Sequence, residues 1–164
     1  MVDYQTLSIV LTGIGLIIAL AYYAFQIRNQ NRTRQAQLFM QLYDRWLEVE
    51  FKQLQREVSE MSWVDYDDFL RKYGPQSNPE AYDRIRSLGA YYEGIGVLVN
   101  RKLIEPSMVD DLMSNSIISH WEQLESVIKE ERRDLNYPQA AEWFEYLYYI
   151  IRQIAERQHP ELKT

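Results

Sequence analysis

The sequence predicts an all-α protein: one N-terminal transmembrane helix that continues into a cytoplasmic helical bundle of about four long and two short helices. Three observations predict it. Residues 4–27 carry no charged side chain; downstream, apolar residues recur at three- and four-residue intervals; and no segment keeps the two-residue alternation of a half-buried strand.

Composition narrows the function classes. Without cysteine there is neither a disulfide framework nor a thiolate metal site, and two histidines, His120 and His159, are too few for a histidine-rich one. The net charge of −6 is unevenly spread. Arg28, Arg32 and Arg34 against Asp3 give the first 34 residues +2, leaving 15 basic and 23 acidic residues in the remainder. An acidic domain matches a phosphate backbone poorly, so nucleic acid is not an expected partner. No metal or cofactor is expected either.

The first element is the membrane helix. At ~1.5 Å rise per residue, residues 4–27 reach roughly 36 Å, more than a hydrocarbon core of ~30 Å. Tyr4 marks one interface; Tyr22, Tyr23 and Phe25 mark the other. A buried core helix is seldom apolar on every side over residues 7–25. Ala19-Leu20-Ala21 resembles a signal cleavage site, but the leading region holds Asp3 and no Lys or Arg, so an uncleaved anchor is expected. Arg28, Arg32 and Arg34 follow the span at once. By the positive-inside rule they put the tail outside the cell membrane and the main domain in the cytoplasm, and their stems also suit snorkelling to lipid headgroups. Ser8, Thr12, Gly15 and Ala19, spaced four, three and four apart, form one stripe of small residues, extended by Tyr22. Such a stripe lets a second membrane helix approach closely, from another copy or a different subunit. The chain thus reads as an anchor with a basic juxtamembrane segment (residues 1–34) and an acidic bundle (residues 35–164).

The bundle follows in order. No proline or glycine interrupts residues 16–73, and Phe39, Tyr43, Trp46, Leu47, Phe51, Leu54, Val58 and Met61 have helical spacing, which predicts one helix through that region. Residues 62–73 read as a short helix capped by Ser62. After the break at Gly74-Pro75, Asn78 caps a helix with Pro79 in its first turn and Tyr82, Ile85, Leu88, Tyr92, Ile95 and Val99 on one face. Gly89 and Gly96 within it each cost ~1 kcal/mol against alanine, so both are expected where a neighbour packs closely. A short helix over residues 107–113 and a long one over 117–134 come next. Asn136-Tyr137-Pro138 turns the chain into a final helix over 139–158, with Phe144, Leu147, Tyr148, Ile151 and Ala155 inward.

Residues 91–133 hold an aromatic-Glu-x-hydrophobic-Gly-hydrophobic-Leu run (Tyr92, Glu93, Gly96, Leu98), a short acidic helix and a Trp-Glu pair (Trp121, Glu122). In this the chain resembles an uncharacterised prokaryotic family known as a domain of unknown function. Its members usually have one N-terminal membrane helix followed by a helical domain. The resemblance implies that architecture over most of the chain, and no activity. Where the pattern has glycine before a Leu-Ile pair, this sequence has Lys102.

Chemistry is sparse. Glu93 lies among apolar residues and Arg132-Arg133 ends the following long helix, which predicts a structural ion pair. His120 and Glu122, two apart, point to different helix faces, and the Glu-x-x-His spacing of di-iron bundles is absent, so His120 is expected at a surface or interface. Asp65 to Asp68 and Asp110-Asp111 read as solvated helix starts. Thirteen tyrosines exceed what one core requires and favour protein contacts. No residue is assigned a catalytic role. The expected protein is a non-enzymatic, membrane-anchored interaction or scaffold subunit, whose partners are membrane lipid and other subunits or its own copies. The alternative is a single-pass signalling or stress-response effector whose bundle senses a ligand or partner.

Overall fold

The computed structural model describes residues 3–158 and contains, among them, six α-helices and no strand. They are α1 (Tyr4–Leu47), α2 (Val49–Ser59), α3 (Tyr66–Tyr73), α4 (Pro79–Asn100), α5 (Pro106–Asp134) and α6 (Glu142–Gln158). Four are long and two short, the expected numbers, although the second short helix is α2 rather than residues 107–113. His159 lies outside the described residues. The chain divides into two units, Met1–Gln37 and Leu38–Thr164, a boundary three residues beyond the one composition places at residue 34.

The first unit is helical from Tyr4, and its large apolar side chains, from Leu7 through Ile27, are exposed. It contains one stretch long and apolar enough to cross a membrane by length and composition, with a mean hydropathy of 2.1 over its most apolar 18 residues. Two of its hydroxyls are satisfied internally: Thr12 Oγ1 donates to the Ser8 carbonyl at 2.8 Å and Thr33 Oγ1 to that of Asn29 at 3.1 Å.

In the second unit the expected single helix through residues 39–61 is broken. Glu48 leaves helical geometry (φ −56°, ψ 141°), and Arg45 pairs with its carboxylate. The reason lies in the apolar stripe. On an unbroken helix the face of Phe39, Tyr43 and Trp46 and that of Phe51, Gln55 and Val58 diverge by roughly 120° at 3.6 residues per turn. The break brings both Phe39 and Phe51 into the core.

The start of α3 also differs from expectation. Asp65 is its cap, accepting from Asp68 N–H at 2.8 Å, while the Ser62 carbonyl accepts from Lys72 Nζ at 3.2 Å. Ser62 stands too early because Trp63 and Val64 are not helical. Asn78 caps α4 as expected, through Oδ1 to Ala81 N–H at 3.2 Å, with Pro79 in the first turn. Residues 107–113 do not form a separate helix: α5 runs unbroken for 29 residues. Ser114, Asn115 and Ser116 are indifferent helix formers but not breakers, and buried Met113 and Ile117, one turn apart, carry the core face across them.

Helices α4 and α5 each end in a Schellman turn. After α4, Leu103 N–H donates to the Leu98 carbonyl and Lys102 N–H to that of Val99, both at 2.9 Å, with Lys102 at φ 57°. After α5, Tyr137 N–H donates to Arg132 at 3.1 Å and Asn136 N–H to Arg133 at 3.2 Å, with Asn136 at φ 47°. These bonds use carbonyls the helix leaves free, and the left-handed residue reverses the chain.

The core lies where α6 packs on both α4 and α5. Its centre is aromatic: Tyr92 stacks on Phe144 with centroids 4.8 Å apart, Trp121 meets Phe144 edge-on at 5.1 Å, and Tyr148 stacks on Trp121 at 5.8 Å. Such offset and T-shaped pairs suit the ring quadrupoles. The Tyr91 hydroxyl donates to the Leu42 carbonyl at 2.7 Å and ties the last turns of α1 to α4.

Candidate functional site

Two places in the bundle bring polar groups inside. The first is a network between α2, α4 and α5. His120 is 4 % exposed within the bundle, which corrects its expected surface or interface position. Its Nδ1 lies 2.7 Å from the Ser116 carbonyl, which can only accept, so Nδ1 carries the proton. Nε2 of the neutral ring is then an acceptor, 3.0 Å from Ser59 Oγ. The Ser59 hydroxyl also lies 2.8 Å from the Gln55 carbonyl. Tyr92 OH sits 2.8 Å from Ser116 Oγ and 3.3 Å from His120 Nδ1. Burial lowers the His120 pKa, against the opposing hydrogen bonds to Ser116 and Gln55, and burial pushes Tyr92 up to about 12. The single Ser59 hydroxyl proton is thus shared between two acceptors, the Gln55 carbonyl at the shorter distance and His120 Nε2. Gln123 Nε2 closes the C-terminal end of α2, donating to the Val58 and Met61 carbonyls at 2.8 and 3.0 Å.

The second place is a cavity of about 240 Å³ between α4, α5 and the turn into α6. Ile85, Leu124, Val127 and Ile128 form apolar walls, with Glu93, Arg86 and Glu131 at its margin. Gly89 lines it, and a β-carbon built there meets nothing within 4 Å. The expectation of close packing at Gly89 is thus corrected: the missing side chain leaves space. Gly96 is the reverse. A methyl there collides with the Trp143 carbonyl, whose carbon lies 2.6 Å away, so the start of α6 sits directly on the α4 backbone.

That contact explains why the expected ion pair of Glu93 with Arg132 and Arg133 is absent. Glu93 Oε2 accepts from Phe144 N–H at 2.7 Å. The free N–H groups and positive end of α6 satisfy the carboxylate, so no guanidinium is required. Arg132 instead pairs with Glu145 at 2.7 Å and donates to the Ala140 carbonyl at 2.8 Å, while Arg133 pairs with Glu130 at 2.6 Å on the surface. Two acidic residues read as solvated are also buried. Asp68 holds Lys72 at 2.8 Å and accepts from Val64 N–H at 3.1 Å; the Lys72 hydrogen bond, foremost, holds its pKa below the usual carboxylate range. Asp110, 6 % exposed, has an Oδ1 without a partner among the described residues.

In the first unit, Ser8, Thr12 and Gly15 are exposed and Ala19 half-exposed. Nothing lies within 4 Å of a β-carbon at Gly15. Arg28, Arg32 and Arg34 are exposed. Sequence reasoning missed the Gln55, Ser59, Tyr92, Ser116 and His120 network because its members come from three helices up to 65 residues apart, with no short spacing to betray them. The one available signal was polar Gln55, Ser116 and His120 on otherwise apolar helical faces.

Neither the curated proteins nor the solved structures contain a match to the chain. The family model described as Domain of unknown function (DUF4760) matches residues 9–151, most of both units, and the chain belongs to that family.

Proposed function

We propose that this is a membrane-anchored helical interaction protein, an accessory subunit without catalytic activity of its own. Residues 7–25 of α1 span the cell membrane, with the N-terminus outside and the bundle in the cytoplasm, and a second helix joins at Ser8, Thr12, Gly15 and Ala19. One observation carries the reading: a charge-free helical stretch whose large apolar side chains all face outward, with no protein surface over them. Lipid solvates such a surface, and the Thr12 hydroxyl proton is satisfied within the helix by the Ser8 carbonyl. The position of Arg28, Arg32 and Arg34 supports the orientation.

The absence of native cysteine makes a clean test. Single cysteines replacing Thr12 or Ala19 should crosslink under oxidation in native membranes, to a second copy or to another subunit, whereas cysteine at Ile17, on the opposite face, should not. Equal crosslinking at all three positions, or extraction of the full chain into carbonate without detergent, would defeat the reading. The cavity at Gly89 favours a second reading, an effector whose bundle responds to a bound small molecule.

A further inference from the structure

An open groove of about 410 Å³ runs between α2 and α5. Lys52 and Arg56, one turn apart, form one wall; Asn115, Ser116 and Ser119 form the other; and Gln55 lies between. No aspartate or glutamate lines it. In a unit whose formal charge is strongly negative, that is a notable exclusion. Nine other Lys and Arg side chains among the described residues are engaged by carboxylates. Lys52 and Arg56 have no carboxylate partner among those residues. Lys52 instead lies over the Trp46 indole, and burial lowers its pKa.

The second observation is inside. Gln55 is 8 % exposed and lines the groove, and its Nε2 has no acceptor. Its Oε1 is held by Ser116 Oγ at 3.3 Å, which fixes the amide with its donor end unused. A buried amide donor without a partner is rare in folded proteins, because desolvating it costs free energy that nothing returns. Lys52, Arg56, Asn115 and Ser119 can each donate a hydrogen bond at the groove, and two of them carry positive charge. A guanidinium and an ammonium beside hydroxyl and amide donors match the acceptor-rich shell of an oxyanion.

We propose that this groove binds a phosphate group, with Lys52 and Arg56 neutralising its charge, Asn115 and Ser119 donating hydrogen bonds, and the unused Gln55 amide donor turning outward to meet it. The assignment rests on the bundle alone and stands whether or not the membrane reading holds. The phosphate belongs either to a small soluble molecule or to a lipid headgroup, and the chemistry of recognition is the same.

The test uses the full chain in an uncharged detergent at constant ionic strength. Inorganic phosphate and a short-chain phosphatidic acid below its micellar concentration are titrated separately. Heat of binding is measured, and the His120 ring proton resonance, assigned by its loss in His120→Gln, is followed. Saturable binding of inorganic phosphate, weakened at least tenfold in the Lys52→Gln/Arg56→Gln double variant and unchanged in Arg101→Gln, is the expected result for a soluble ligand. The same pattern with phosphatidic acid alone identifies a headgroup and equally supports the site. Ser119→Asp, which places a carboxylate in the groove on an exposed position, should abolish binding without lowering the melting temperature. Absence of binding by both probes, or binding that survives both the double variant and Ser119→Asp, overturns the proposal.

Discussion

Gly89 and Gly96 stand seven residues apart on the same helix, and the same substitution should move stability in opposite directions at the two. In Gly89→Ala the new methyl enters open space at the cavity wall, so the helix gains the alanine propensity, about 1 kcal/mol, with no steric cost. In Gly96→Ala the methyl meets the Trp143 main-chain carbonyl, which no side-chain rotation can clear. Overpacking of this kind costs about 1–3 kcal/mol. Moving the start of α6 also loosens the 2.7 Å bond from Phe144 N–H to Glu93, an interaction with a charged acceptor of about 1.5–3 kcal/mol. After crediting the helix propensity, the net loss is about 1.5–5 kcal/mol. Thermal and denaturant unfolding of the full chain in detergent, followed by far-UV circular dichroism, measures both changes. A Gly96→Ala protein as stable as wild type, or two variants shifted in the same direction, would refute the packing assigned to these glycines.

Two further outcomes follow from the backbone and the buried network. Lys102 holds the left-handed position of a Schellman turn, where a β-carbon is strained, so Lys102→Gly should raise stability by about 0.5–1 kcal/mol, seen as a higher melting temperature; an unchanged or lower value contradicts it. His120 is buried neutral with its pKa depressed by desolvation, so the unfolded chain binds a proton there more readily than the folded one. Its contribution to stability is whole above the unfolded value of about 6.5 and declines as pH falls from there through the lower folded pKa. Melting temperatures at pH 8 and pH 5 should therefore differ more in wild type than in His120→Gln, and equal differences would count against the buried neutral ring.

Much of the architecture was legible because it rests on periodicity. The apolar intervals in α4, α5 and α6 mark faces that do lie in the core, and Asn78 with Pro79 starts a helix where capping chemistry says it should. What escaped was set by partners distant in sequence. The break at Glu48 has no proline or glycine to announce it and exists because Phe39 and Phe51 must both reach one core. The Ser114 to Ser116 stretch reads as a polar interruption, yet Met113 and Ile117 carry α5 through it. Glu93 and Arg132 were expected to pair with each other, and each instead finds a different partner. That a helix terminus would serve Glu93, and Glu145 would serve Arg132, depends on where α6 docks. Departure from the family pattern at Lys102 was visible in the sequence; its physical content, a lysine in a backbone conformation that favours glycine, was not.

Phe144, Leu147, Tyr148 and Ile151 all come from α6, and they cover Tyr92 and Trp121 on the other two long helices of the core. During synthesis α6 leaves the ribosome after its partners, so those aromatic surfaces stay uncovered until the end of the domain has emerged. Closure of the bundle therefore waits on α6, and a chain halted before α6 presents an open apolar face to the chaperones and proteases that survey unfinished proteins.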